Sequence, residues 1–344
     1  MRQIILDFPK QFKIGIDAAK DTKLEGIFEN IVICAMGGSA LPGSLLLDIG
    51  VKFSLPLFVH RAYGLPKAAN EKSLILCISF SGNTEETLSA YQEAIEKNYN
   101  TIAVCTGGKL EQMAKEKNLP VAVVPNDCLQ PRFGTGYLVA AVLKILNNCG
   151  IINEPSTALL TMAQAMQPQK YEEQGKALAQ KLIDQIPIVY SSSQYRSLAR
   201  IWKIKFNENS KIMAFWNYFP ELNHNEMVGY TIQKSNIPEG KFGKLTSYGA
   251  GKNQNENSKF KNFHVIILQD KNDDPRIIKR MELTTDLIKE SGAEVDFVEI
   301  DGKTKMEKVF NCLLLGDWVS YHLSLAYGQN PVPVEIVEKF KKQL

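Results

Sequence analysis

The chain has 344 residues, 44% of them hydrophobic, which is enough for two ordinary α/β domains with real cores. Its 40 basic and 37 acidic residues leave a formal net charge of +3, evenly spread, which argues against nucleic acid or an anionic membrane surface as a partner. Small-molecule chemistry is the default that remains.

The six cysteines, Cys34, Cys77, Cys105, Cys128, Cys149 and Cys312, form no CxxC pair and no metal-ligand spacing, and read as reduced core residues. The apolar run before Asp7 and Pro9 is too short for a signal peptide, and no later stretch approaches the roughly 18 apolar residues of a membrane span. A cytoplasmic protein is expected.

Residues 30–36 form a continuous apolar run that ends in Gly37-Gly38-Ser39 and gives way to helix-compatible sequence. The same strand-to-turn pattern recurs at 57–60, 74–79, 101–105 and 121–124, with helical segments between, most clearly 85–97 and 109–117. Unbroken apolar strands alternating with helices imply a parallel sheet covered on both faces. A polar, Gln-rich segment near 164–180 precedes a second series. Residues 186–190 end in Ser191-Ser192-Ser193 and open a helix to about Asn209; strands follow at 211–215, 263–268 and 295–300, with helices near 274–290 and 304–327. Two doubly wound α/β domains are predicted, joined near 150–180, with a ligand cleft where their strand C-termini meet. Residues 231–262 lack periodicity and read as a long surface loop.

The most informative stretch is Ser79-Phe80-Ser81-Gly82-Asn83-Thr84, where a buried strand stops in hydroxyls and turns into a helix. Ser79, Ser81 and Thr84 offer hydroxyl donors, Gly82 lets the backbone approach a ligand, and the new helix turns its positive end to the same point. Such residues also serve simply as helix caps, and one turn by itself does not separate capping from anion binding. The second turn, with Gly38 and Ser39, ends another strand; if both strands share a sheet, the two turns converge on one crevice and favour a phosphate. Arg132, in a Pro/Gly-rich loop after the 121–124 strand, reaches the same edge, as a ligand for phosphate or a developing oxyanion or as a surface arginine.

A second concentration of signal lies at 202–230. Glu208 stands between Asn207 and Asn209 at the end of a helix, and His224 between two asparagines with Glu221 and Glu226 close by. A carboxylate and an imidazole are the minimum equipment for moving a proton next to a carbonyl or opening a sugar ring. The plainer alternative makes His224 the cap of a short helix over 224–230 and Glu208 a solvated helix end. His60, His264 and His322 are isolated and read as structural. At the C-terminus, residues 333–344 predict a short helix with Ile336, Val337, Phe340 and Leu344 in one stripe. Lys341 flanks that stripe and is the best placed of the terminal lysines to enter a cleft, with Lys339 between stripe and solvent.

Met36-Gly37-Gly38-Ser39-Ala40, His60-Arg61-Ala62-Tyr63-Gly64-Leu65-Pro66, the Ser79 to Thr87 turn, Pro131-Arg132, Phe206-Asn207-Glu208-Asn209, Pro220-Glu221-Leu222-Asn223-His224-Asn225-Glu226 and the terminal Pro333-Val334-Glu335 helix occur in that order. Together they resemble the bifunctional phosphoglucose/phosphomannose isomerases, built from two sugar-isomerase (SIS) domains. The resemblance implies two flavodoxin-like αβα sandwiches with parallel sheets, over residues 1–155 and 156–344. It implies interconversion of glucose 6-phosphate and mannose 6-phosphate with fructose 6-phosphate through a cis-enediol, without metal or other cofactor. Carried over by residue, it makes Gly38, Ser39, Ser79, Ser81 and Thr84 the phosphate site, Glu208 the base and Arg132 the stabiliser of the intermediate. His224, from the partner subunit of a homodimer, and Lys341 would assist ring opening. Two features depart from the pattern: the long polar 231–262 loop, and Arg61-Ala62 in place of an acidic residue. The rival readings are a non-catalytic SIS protein that senses a phosphosugar, and an SIS isomerase of amino-sugar phosphates.

Overall fold

The computed structural model describes residues 1–127, 130–231, 260–341 and 343. Most of the expected 231–262 loop, together with Cys128, Lys342 and Leu344, therefore lies outside the described residues. The chain forms two compact units, Met1–Tyr171 with Gly302–Leu314, and Glu172–Asp301 with Leu315–Leu344.

The first unit holds strands β1 (Asn30–Ala35), β2 (Leu57–His60), β3 (Ser73–Ser79), β4 (Asn100–Cys105) and β5 (Val121–Val123). They pair in parallel in the order β2-β1-β3-β4-β5, the flavodoxin-like arrangement. Its helices are α1 (Arg2–Leu6), α2 (Lys10–Ala18), α3 (Leu41–Asp48), α4 (Glu85–Glu96), α5 (Gly108–Glu116), α6 (Thr135–Asn148) and α7 (Ser156–Ala165). Because side chains alternate across a strand, Val32, Cys34, Ile75, Cys77, Ala103 and Cys105 share one face. That face packs under Ala90, Tyr91 and Ala94 of α4 and Leu110 and Ala114 of α5. Residues between them, such as Ile33, Leu74, Leu76 and Val104, are equally buried on the other face. The unbroken apolar strands predicted from the sequence are thus strands covered on both sides.

The second unit contains α8 (Glu172–Lys181), β6 (Ile186–Ser192), α9 (Arg196–Lys205), β7 (Phe215–Phe219), β8 (Phe263–Gln269), α10 (Pro275–Glu290) and β9 (Glu294–Glu299). Helix α11 (Lys305–Ala326) contributes its later turns, and α12 (Glu335–Lys341) follows. The sheet order, β7-β6-β8-β9, all parallel, repeats the first sheet without its fifth strand. No helix among the described residues is long and apolar enough to cross a membrane.

Three expectations need correction. The strand predicted at 211–215 begins instead at Phe215, because the chain after α9 widens into a π-helical turn, Phe206–Ser210, and Lys211 then ends it in the left-handed conformation at φ 60°. No single helix spans 224–230. Two 3-10 turns, Glu221–His224 and Glu226–Tyr230, flank Asn225, and Asn225 is the cap, its side chain accepting from the Glu226 amide at 2.6 Å. The terminal helix forms, but its stripe is uncovered within the chain: Ile336 is 82% and Phe340 61% exposed.

Candidate active site

In the first unit, the ends of β1 and β3 are neighbours because the two strands pair directly. Ser39, buried in the 3-10 turn Gly37–Ala40, accepts a hydrogen bond from the Phe80 amide at 2.9 Å, which ties the two turns together. Ser79 is fully buried, and its hydroxyl lies 2.9 Å from that of Thr84. Thr84 occupies the N-cap position of α4 in extended conformation, yet its side chain makes no capping bond. Pure capping therefore does not describe this turn. Its exposed Ser81 hydroxyl accepts from the Asn83 amide at 3.3 Å.

The glycines explain how close the turns come. Gly82 has φ 67°, and a Cβ there would lie 1.8 Å from the Gly107 carbonyl oxygen, so only glycine fits where the turn meets the start of α5. The Gly82 carbonyl accepts from the Leu110 amide at 2.9 Å, and Asn83 Oδ1 from the Lys109 amide at 3.1 Å, which brace the turn from behind. A Cβ on Gly38 would lie 2.8 Å from the Arg132 amide nitrogen. The Pro131–Phe133 turn thus seats directly on the first glycine turn.

Arg132 is 2% exposed, with its guanidinium carbon 4.4 Å from the centre of the Phe133 ring. The turn carrying it is held by Gln11, which donates to the Phe133 carbonyl at 2.8 Å and accepts from the Gly136 amide at 3.0 Å. Thr135 donates to the Arg132 carbonyl at 3.1 Å. Sequence reasoning missed Gln11, since a buried glutamine more than a hundred residues away leaves no local signal. Gly38, Ser39, Ser79, Ser81, Thr84 and Arg132 thus lie at one sheet edge, as expected.

In the second unit, Glu208 rides on the π-helical turn, half-buried, with anchored neighbours on both sides. Lys205 forms a buried ion pair with Asp317 of α11. Asn209 donates to the Ser320 hydroxyl at 2.9 Å, Ser210 to the Ser320 carbonyl at 2.8 Å, and Asn207 to the Ile212 carbonyl at 2.8 Å. The asparagines beside Glu208 are therefore clamps on the backbone that presents it. Such single π turns are common at functional sites. Lys211 donates to the carbonyls of Glu208 and, at 2.6 Å, of Pro333, just before α12 and its exposed Lys339 and Lys341.

His224 is exposed and its side chain makes no hydrogen bond among the described residues, while those of its neighbours are engaged. Asn223 donates to Thr284 Oγ1 at 2.8 Å, and Asn225 to Glu221 at 2.7 Å. Glu226 accepts from the Tyr190 hydroxyl and from Asn217, both at 2.5 Å, and Tyr190 in turn lies 2.9 Å from the Tyr230 hydroxyl. Burial pushes both phenols up, Tyr230 to about 12, so both stay protonated donors. Glu226, grouped with His224 by the sequence, is a structural acceptor.

Glu208 and His224 do not meet within the second unit. Because β6 and β7 run parallel, α9 returns the chain to the amino-terminal edge of the sheet, where Glu208 sits, whereas His224 follows β7 at the carboxyl-terminal edge. The length of β7, about 13 Å at roughly 3.3 Å per residue, separates those edges. The first unit's turns thus stand at the carboxyl ends of β1 and β3, whereas Glu208 stands at the amino-terminal edge of the second sheet.

Residues 171–344 match the family described as bacterial phospho-glucose isomerase C-terminal SIS domain. The chain is 34% identical to the bifunctional phosphoglucose/phosphomannose isomerase of Caldicellulosiruptor bescii, over 97% of this chain and 95% of that one. It is 31% identical to the enzyme of that name from Aquifex aeolicus, over 99% and 97% of the two chains. Among solved structures, the C-terminal domain of glucosamine-fructose-6-phosphate aminotransferase from Francisella tularensis superposes with a TM-score of 0.67 at 15% identity, covering 96% of this chain and 97% of that one, a likeness of fold. With its full-length relatives, its two flavodoxin-like sheets and its hydroxyl-lined turns in view, this chain belongs to the bifunctional phosphoglucose/phosphomannose isomerase family, and its second half is an SIS domain.

Proposed function

We propose that this protein interconverts glucose 6-phosphate and mannose 6-phosphate with fructose 6-phosphate. The observation that carries the reading is that the chain holds both a hydroxyl-lined turn whose Thr84 makes no capping bond and a carboxylate raised on a clamped π turn. One binds an anion and the other moves a proton.

In this mechanism Gly38, Ser39, Ser79, Ser81 and Thr84 hold the phosphate, and binding energy spent there positions the far end of the sugar. His224 and Lys341 move the protons that open the ring. Glu208 takes the proton from C2 of the open aldose, the C2 electron pair forms the double bond to C1, and O1 gains a proton to give the enediol. Returning a proton to C1 while O2 becomes the carbonyl completes the ketose. Arg132 offsets the charge developing on the oxygens. In the enediol C2 is planar, so the glucose and mannose configurations converge on the same kind of intermediate. No electrons leave the sugar, and the reaction needs no redox cofactor.

We also infer a cytoplasmic homodimer. The separation of Glu208 from His224 by the length of β7 supports a site in which His224 comes from the partner subunit.

The test is direct. Purified protein should interconvert fructose 6-phosphate with both aldose phosphates in the presence of a chelator, and Glu208→Gln should lower kcat by a factor of about 100 or more. Full activity in that variant would remove Glu208 from the role of base.

A further inference from the structure

Lys211 stands where a lysine is conformationally unfavourable. Its φ of 60° closes the π turn in the left-handed region, a helix-ending position that glycine or asparagine fills with less strain. Its side chain does what a glycine could not. The ammonium joins the carbonyl of Glu208 to the carbonyl of Pro333, where the chain enters α12.

That link matters because it grips the chain where it enters α12, between the buried Pro331 and the exposed helix. The helix has no buried residue, and Ile336 and Phe340 are 82% and 61% exposed. The turn on the other side is rigid: the Lys205 to Asp317 ion pair and the bonds of Asn209 and Ser210 to Ser320 fix it on α11.

We propose that Lys211 is a positioning residue that tethers the terminal segment bearing Lys341 to the turn bearing Glu208, so that the ring-opening group and the base keep a fixed relation. The inference rests on the reading of Glu208 as base and Lys341 as ring-opening group. The phosphate turn is not involved, so the effect belongs in kcat.

Lys211→Gly separates tethering from folding, because glycine relieves the left-handed strain while removing the ammonium. The expected result is an unchanged or higher melting temperature, at least fivefold faster deuterium uptake over residues 331–341, kcat lower by about tenfold, and KM for fructose 6-phosphate within about twofold. Lys211→Arg, which keeps a cationic donor in the same backbone strain, should restore both uptake and kcat. Wild-type values of either uptake or kcat in Lys211→Gly overturn the proposal. Uptake is measured without substrate, so a failed tether is seen independently of turnover, whereas failure of the isomerase reading appears as absent turnover in the wild-type protein.

Discussion

Ser39 and Thr84 show how similar hydroxyls in one binding turn carry different structural loads. Ser39 satisfies the buried Phe80 amide, so Ser39→Ala leaves that donor without its acceptor and should destabilise the fold by about 1–3 kcal/mol in urea unfolding. Thr84 pairs with another hydroxyl, and Thr84→Val should shift stability by less than about 1 kcal/mol while raising KM for sugar phosphate roughly tenfold. Equal stability losses in the two variants would contradict this difference. The sequence displayed all of these hydroxyls at the right strand ends. It could not display which of them serves the Phe80 amide, since the two residues are 41 positions apart and meet only through the pairing of β1 with β3.

At the level of elements, apolar runs locate eight of the nine strands among the described residues to within a residue or two, because burial on both faces leaves few polar interruptions. β7 was displaced by several residues. A π turn followed by a left-handed lysine carries no hydrophobic period, so Ile212, Met213 and Ala214 read as strand when they form the approach to it. The pairing of β8 with β9 offers a pH test. Burial disfavours the Asp296 carboxylate, but hydrogen bonds from Lys181 at 2.6 Å and His264 at 2.8 Å outweigh it and hold the group below its ordinary value. A carboxyl depressed in the folded state stabilises above its unfolded pKa, near 3.9, and loses that contribution as the pH falls through the lower folded value. Asp296→Asn should therefore cost about 1 kcal/mol near neutrality, seen as a lower melting temperature, and the gap should stay level down to about pH 5 and narrow as the pH falls below about 4. A gap that stays constant below about pH 4 would rule out the charged pair as its source.

For the whole molecule, the decisive arrangement is the placement of Glu208 and His224 at opposite edges of one sheet. If His224 acts in the partner's site, a dimer of one Glu208→Gln protomer and one His224→Ala protomer contains one intact site and one doubly defective site. Random exchange makes half of the dimers mixed, so two nearly inactive proteins should recover about a quarter of wild-type activity when mixed. No recovery, with exchange shown by differently tagged protomers, would place Glu208 and His224 of one chain in the same site.

The sequence by itself determined the α/β class, the parallel strands, the hydroxyl turns and the family, because those properties are written in local apolar runs, in strand-to-helix turns and in ordered motifs. It also singled out Glu208 between its asparagines. Only the tertiary structure decided what those asparagines do, that Glu226 serves Tyr190 and Asn217, that Arg132 is buried and its turn seats on the first glycine turn, and that Glu208 and His224 lie at opposite edges of one sheet. Each of these depends on which distant segments the folded chain brings into contact, or on which edge of a sheet a helix returns to, and neither is encoded in the spacing of residues along the chain.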